Sequence, residues 1–321
     1  MAQPLNYRLF RPADLPALSR LWAEDAGWGD LSPDKWRQWF VDTPHGPCPI
    51  VVAETVRGEL VGQLVFTPAV VQAGGQEVRA LRMSAPILRK DHRTGVMFGM
   101  QHPAVMLWLT GAIAAAARGY RVIYNWSEKS WVPFFRTLTR FGVAEFGCLA
   151  ALPGPNPAYA AAAGPLTARP VGEFGPEHEA VWESARERFP IPCGVKRTPA
   201  WLGYRNGGHL AVEVREPAGR LAGYVCVNAK TGLVSDVVAR GRAELSPVLA
   251  AALLFLADRK GELGAEFDAL KVMGTSYLAP AVRELGFAPH DFRYGFITDV
   301  LDPDLDPGTF APEAWYAMPS D

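Results

Sequence analysis

Apolar residues recur at three- and four-residue steps through Leu15, Leu18, Leu21 and Trp22, and again through Trp36, Trp39 and Phe40. Those steps predict two short helices near the start of the chain. Asp14 is placed to cap the first, and Ser32-Pro33 supplies an N-cap with proline at the first position of the second. The pattern then changes to extended apolar runs: Ile50–Val56 and Leu60–Val71 around an Arg57-Gly58-Glu59 turn, and Val78–Leu88 after Gly74-Gly75. A polar loop, Arg89–His102, precedes an alanine-rich helix that Pro103 opens and Gly119 ends. Arg121–Asn125 reads as a short strand and Trp131–Phe141 as a helix.

The same order then returns. Arg11-Pro12 closes the first extended segment and Arg169-Pro170 the second. Helices are predicted over Glu177–Arg188 and from Thr198-Pro199, strands over Leu210–Val214, Leu221–Val227 and Leu233–Ala239. Ser246-Pro247 is expected to cap a second alanine-rich helix to Lys260, followed by strand Phe267–Val272, helix Tyr277–Leu285 and strand Phe292–Val300. Repetition on this scale predicts two tandem domains. The expected boundaries are 1–152 and 166–301, with a linker at 153–165 rich in proline, glycine and alanine and a tail at 302–321. Ala85 aligns with Ala239, but beyond the next loop Leu107 aligns with Leu249, so the first copy carries about a dozen extra residues between strand and helix. Extra length in one loop points to function.

Composition narrows the class without naming it. The chain has 321 residues, 49% hydrophobic and 20% charged, with a net charge of −1. These values fit a globular protein and give no basic balance for nucleic acid or an anionic membrane. The longest apolar stretches, Ala104–Ala117 and Val248–Ala257, fall short of the ~18–20 residues that span a bilayer. The start of the chain lacks a signal-peptide pattern, and Cys48, Cys148, Cys193 and Cys226 form no metal-type cluster. The expectation is a cytoplasmic protein, monomer or homodimer, with no metal, nucleic-acid or membrane partner. The six histidines show no metal-ligand spacing, and no Walker, dinucleotide-binding or GxSxG motif is present.

The order β-α-α-β-β-β-α-β-α-β, the alanine-rich helix ending in Gly119-Tyr120, and the Glu284-Leu285-Gly286-Phe287 turn resemble the GNAT acetyltransferase superfamily. The doubled layout is similar to tandem members such as mycothiol synthase. The resemblance covers roughly residues 5–150 and 165–300. It implies an α/β (α+β) fold of two GNAT-like domains, each a mixed, mostly antiparallel sheet flanked by helices. It also implies an N-acyltransferase, most plausibly moving acetyl from acetyl-CoA to the amine of a small molecule. In such chemistry a helix N-terminus and glycine-rich loop hold the pyrophosphate, a base takes the amine proton, and backbone donors hold the oxyanion.

By that resemblance Met83, Ser84 and Ala85 contact the pantetheine arm, Arg93, Thr94, Gly95 and Gly99 cradle the phosphates, and Asn125 stands beside the cofactor. Trp28, Asp30 and Trp36 are expected to form a lid with acidic and aromatic faces for a cationic amine. The sequence departs from the pattern at the phosphate loop, where Gly99-Met100-Gln101-His102-Pro103-Ala104 keeps only the final alanine. It departs again at Trp131–Phe135, which lacks the family's tyrosine acid. Tyr124 is the substitute candidate, and Glu128 and Asp236 are candidate bases, Asp236 because a carboxylate within Leu233–Val238 is expensive to bury unless paired or functional. The tail, pinned by Trp315, is expected at the surface, with its terminal Asp321 an outside candidate. The second copy looks degenerate. A non-catalytic tandem scaffold binding a small molecule or protein is the alternative, and aminoacyl transfer from tRNA is disfavoured by the charge.

Overall fold

The computed structural model describes residues 4–27, 29–93, 101–136, 138, 140–152, 154, 156–189 and 191–321. Strand β1 (Leu5–Leu9) leads to α1 (Leu15–Leu21), whose coil widens over Trp22–Ala26 and stops at Gly27 with φ 71°. Helix α2 (Pro33–Trp36) starts where the Ser32 hydroxyl accepts from the Lys35 amide at 3.3 Å, and it continues over Arg37–Val41. Strands β2 (Ile50–Thr55), β3 (Leu60–Ala73) and β4 (Gln76–Leu88) form an antiparallel meander. There follow α3 (Lys90–Arg93), α4 (Pro103–Ala116), β5 (Val122–Glu128), α5 (Val132–Arg136) and β6 (Gly142–Ala151).

The second half runs α6 (Pro157–Ala163), β7 (Thr167–Pro170), α7 (Pro176–Arg188), β8 (Cys193–Val195) and α8 (Pro199–Asn206). It continues with β9 (Leu210–Arg215), β10 (Leu221–Val227), β11 (Val234–Ala239), α9 (Arg242–Arg259) and β12 (Leu270–Met273). Helix α10 (Ala279–Glu284), the long β13 (Ala288–Val300) and the short β14 (Trp315–Tyr316) close the chain. Among the described residues one sheet carries ten strands and a second carries four, in the order β11-β10-β9-β7. The large sheet is mostly antiparallel, with helices packed on it.

The halves exchange strands. Residues 294–300 of β13 lie between β5 and β6, pairing with 122–128 and, over 294–298, with 142–146. Past a bulge at His290/Arg293, residues 288–290 pair instead with 148–150 of β6, whose same end also pairs with β12. Each of these strands therefore crosses from one half into the other. The extended pattern read over Phe292–Val300 marks most of β13 as a strand but cannot name its partners, because a period of two fits any neighbour.

Two other elements differ from the sequence reading. Helix α9 begins at Arg242, with Pro247 inside it. At the sixth helical position that proline has no amide hydrogen for the Ala243 carbonyl, and its ring crowds that carbonyl. The expected linker contains α6, because Asn156 Oδ1 accepts from the Ala158 amide at 2.9 Å, Pro157 opens the first turn, and five of the seven helical residues are alanine, the best helix former.

Helix α4 sits close on β3: a Cβ at Gly111 would lie 2.1 Å from the Phe66 ring. Its small inner face, Gly111, Ala112 and Ala115, allows that approach over the buried core of the first half.

Candidate functional site

The site begins where β4 and β5 part. They pair in parallel only over Ala80–Arg82 and Val122–Tyr124. Beyond that, β4 carries a bulge against β3: Gln63 faces Ile87 while Val65 faces Ser84, so β4 has one residue too many. The bulge centres on Ala85, which alone among the described non-glycine residues has positive φ, at 46°. That conformation costs an alanine energy, and the surroundings hold it. Gln63, fully buried, donates to the Ala85 carbonyl at 3.2 Å and accepts from Trp22 Nε1 at 3.0 Å. Pro86 follows and lacks an amide hydrogen.

The gap is a cleft of 610 Å³ whose lining includes Met83, Ser84, Ala85, Asn125, Glu128 and Tyr294. Arg93 closes one end, donating to the Leu88 carbonyl and, at 3.0 Å, to the Asp25 carbonyl. Ala104, in the first turn of α4, also lines it. The first-turn amides there are engaged by the N-cap: Ala104 N–H donates to His102 Nδ1 at 3.2 Å, and Val105 and Met106 donate to the His102 carbonyl. Burial pushes the His102 imidazole below its ordinary value, so it stays neutral and able to accept.

A larger groove of 1230 Å³ lies on the other face of β4 and shares Arg82, Ser84 and Ala85 with the cleft. One wall is the α2 region, with Arg37, Trp39 and Asp42; the other is α8, with Tyr204 and Arg205. The Thr198 hydroxyl caps α8 by accepting from the Trp201 amide at 3.2 Å, and Tyr204 reaches across to donate to the Trp39 carbonyl at 2.7 Å. Arg82, enclosed by protein yet open to both cavities, has its guanidinium lowered to about 9 by burial, with the Arg205 charge adding.

Behind the groove the end of the chain is buried rather than superficial. Trp315, Tyr316, Ala317 and Met318 are all in the core, and β14 lies parallel to β8, which pairs with the far end of β3. Arg82 donates to a main-chain oxygen of Asp321 and to the Pro319 carbonyl, Arg205 to the Ser320 carbonyl, and Trp126 Nε1 to the Met318 carbonyl at 2.7 Å. Asp321 and Asp236 share one fully buried cation, Arg197, whose Nη2 is 2.8 Å from the first and 3.3 Å from the second. Burial works against the Arg197 charge, but the two carboxylates outweigh it and hold the guanidinium above its ordinary value. Burial raises Asp321 to about 6 against the pull of Arg197, and raises Asp236 against Arg197 and the Tyr224 hydroxyl.

Met83, Ser84, Ala85, Arg93, Asn125 and Glu128 thus come together around one cleft, Asn125 nearly buried and Glu128 exposed at its edge. Asp236 does not join them; it lines neither cavity and serves as Arg197's counter-ion. Tyr124 is fully buried among Phe296 and Trp315, its hydroxyl without a hydrogen bond, and is a core residue rather than an acid facing the cleft. Trp36 packs 5.2 Å from Phe10 and 5.1 Å from Phe40, inside the cap and not on a lid face. Asp30 is exposed and lines neither cavity. Thr94, Gly95, Gly99 and Trp28 lie outside the described residues.

Sequence reasoning missed Arg82, Tyr204 and Arg205. Arg82 had a signal: it interrupts the apolar run Ala80–Met83 just as Asp236 interrupts its own. No group of metal-ligating side chains occurs among the described residues, and none of their helices is long and apolar enough to cross a membrane.

No family model matches the chain, and no curated protein matches it in sequence. Solved structures do match in shape. A GCN5-related N-acetyltransferase from Anabaena variabilis superposes with a TM-score of 0.62 at 13% identity, over 93% of this chain and 73% of that one. A probable N-acyltransferase from Enterococcus faecalis gives 0.61 at 13%, over 93% and 73%. Saccharomyces cerevisiae N-myristoyltransferase with bound myristoyl-CoA gives 0.58 at 9%, over 93% and 83%. At such identities the likeness is one of fold alone, shared with these N-acetyltransferase and N-myristoyltransferase structures.

Proposed function

We propose that the protein is an acyl-CoA-dependent N-acyltransferase, transferring acetyl or a related acyl group to the amine of a small molecule. The observation that carries the reading is the meeting of two cavities at one strained residue. The 610 Å³ cleft and the 1230 Å³ groove touch at Ser84 and Ala85. An extended acyl-pantetheine arm entering the cleft would run along β4 where that strand has lost its partner β5. Unpaired backbone groups there are ready to bond an arm of amides and a thioester. An amine entering from the groove would then meet the thioester at the bulge.

The residues fit the acyl-pantetheine end of the co-substrate, and Asn125 adds a polar side chain at the mouth. The pyrophosphate would fall near Arg93 and the start of α4. There His102 already holds the first-turn amides, which favours a second reading, a non-catalytic scaffold of the same fold. Calorimetric titration with acetyl-CoA and longer acyl-CoAs decides between them: the transferase reading expects binding with Kd below about 1 mM and thiol release when amines are added. A folded protein that binds none of them at millimolar concentration is a scaffold.

A further inference from the structure

We propose that the groove takes an amine that also carries an anionic group, a carboxylate or a phosphate, held by Arg82 and Arg205, on an aromatic or apolar body. The inference rests on the transferase reading only in calling the occupant the acceptor. The argument starts from charge. Both guanidiniums line the groove, and neither makes an ion pair with an aspartate or glutamate side chain among the described residues. Arg82 donates to main-chain oxygens of Pro319 and of Asp321, whose negative charge partly offsets its own. Arg205 has only the neutral Ser320 carbonyl as an acceptor among the described residues, and is the guanidinium left to take an anion. Two cations sharing a poorly solvated floor repel one another and lose hydration, a cost that a bound anion removes.

The acidic groups of the groove sit elsewhere. Asp34 is exposed, and Asp42 is 3.5 Å from Arg37 in a solvent-exposed pair. A polycationic amine would therefore find its counter-charges only at the margin and a repulsive floor. A guanidinium fork instead matches the planar, two-oxygen geometry of a carboxylate or phosphate.

Position and shape agree with this. Arg82 and Ser84 lie two residues apart on β4 and so share one face, which sets the anion subsite beside the bulge where the amine must attack. Trp22, Trp39 and Tyr204 also line the groove; Trp39 is 38% exposed although it adjoins a packed aromatic cluster. An exposed indole in a concave groove is a contact surface for an apolar or aromatic body. An aromatic or apolar amino acid, or its aminophosphonate counterpart, has all three parts.

Tryptophan fluorescence of the full chain, titrated with matched pairs, tests the proposal: phenylalanine, tyrosine, tryptophan and leucine against phenethylamine, tyramine, tryptamine and isoamylamine, with calorimetry for the two indole ligands. The 1-aminophosphonate of phenylalanine forms a third arm that separates phosphate from carboxylate recognition. At least one anionic member is expected to bind about 10- to 100-fold more tightly than its uncharged-tail amine, as loss of a charge-assisted bond would give. Arg205→Gln is expected to bring the two affinities together, while Arg205→Lys, which keeps the charge, restores part of the difference and controls for misfolding. Equal binding within every pair, or no binding of any anionic member, overturns the proposal. Acyl-CoA titrated in parallel keeps the two readings apart: an anionic amine bound without acyl-CoA sinks the transferase, and acyl-CoA bound without any anionic amine sinks this subsite.

Discussion

The free edges of β4 and β11 are the instructive pair. Both belong to strands followed by an alanine-rich helix, and both face away from their meander. Beyond Arg82, β4 leaves β5 and fronts a 610 Å³ cleft. On β11 the carbonyls of Ser235 and Val237 accept from the Ser320 amide and the Tyr316 hydroxyl, so the tail seals the edge. The space beneath α9 is a 10 Å³ void lined by Val225, Leu249, Leu253, Val272 and Phe287 among others. Backbone groups on a strand edge must bond something. One half of the molecule gives that edge its own chain; the other leaves it open to the cleft.

Unsealing β11 has the largest expected effect. Arg197→Met strands two buried carboxylates, and denaturant titration is expected to show a loss of about 3–5 kcal/mol, with the tail newly open to proteolysis. A wild-type-like midpoint would mean the tail is held by packing alone. On the open side, Gly111→Ala drives a Cβ into the Phe66 ring, and overpacking is expected to cost about 1–3 kcal/mol while weakening acyl-CoA binding in calorimetry.

Acidity acts on the sealed edge through Asp321, and elsewhere on Asp299 and on histidines such as His102. Asp321 is raised to about 6 in the folded chain, above its ordinary 3.8, so its contribution is full below that ordinary value and is lost as pH rises through 6. That contribution is expected to be about 1 kcal/mol larger at pH 5 than at pH 7. It is read in thermal melts as the difference between wild type and Asp321→Asn, because burial lowers His45, His102, His178 and His209 and so removes stability from both proteins over the same window. Asp14, Glu213, Asp302 and Asp306 are lowered instead, so their loss falls below this window.

Tyr316→Phe removes one hydrogen bond to Val237 and is expected to cost about 1 kcal/mol. Smallest is Ala85→Gly, which relieves a positive φ at the open edge. Stability should change by less than about 1 kcal/mol, since relief and added chain entropy oppose each other. Acyl transfer should nonetheless slow as the bulge loosens, read as kcat with unchanged melting.

Much of this frame was legible beforehand. Strands β2, β3 and β4 fell within two residues of their observed ends because long apolar runs broken by Gly58 and Gly74-Gly75 allow little else. Met83–Ala85 and Asn125 were locatable from the family resemblance. Arg82 and Arg205 were not, since their meaning depends on where β5 stops pairing and on α8 bringing Arg205 in from 123 residues further along the chain. Trp36 misled because an aromatic at helical spacing reads alike whether it faces a ligand or Phe10 and Phe40. Asp236 was correctly singled out as costly, but a sequence cannot say whether a partner or a reaction offsets that cost. The sealed edge was invisible for the same reason: nothing in Trp315–Asp321 announces β11.

The exchange of β6 and β13 carries a consequence for synthesis. On the ribosome, β5 and β6 emerge with no strand to lie between them, and the chain must run on to Val300 before that gap in the larger sheet is filled. Until then both strands present unpaired edges, which invite pairing with another nascent chain. Contacts so distant in sequence also make the closing step slow. The first half, with its cleft, is therefore born unfinished and is completed by the second.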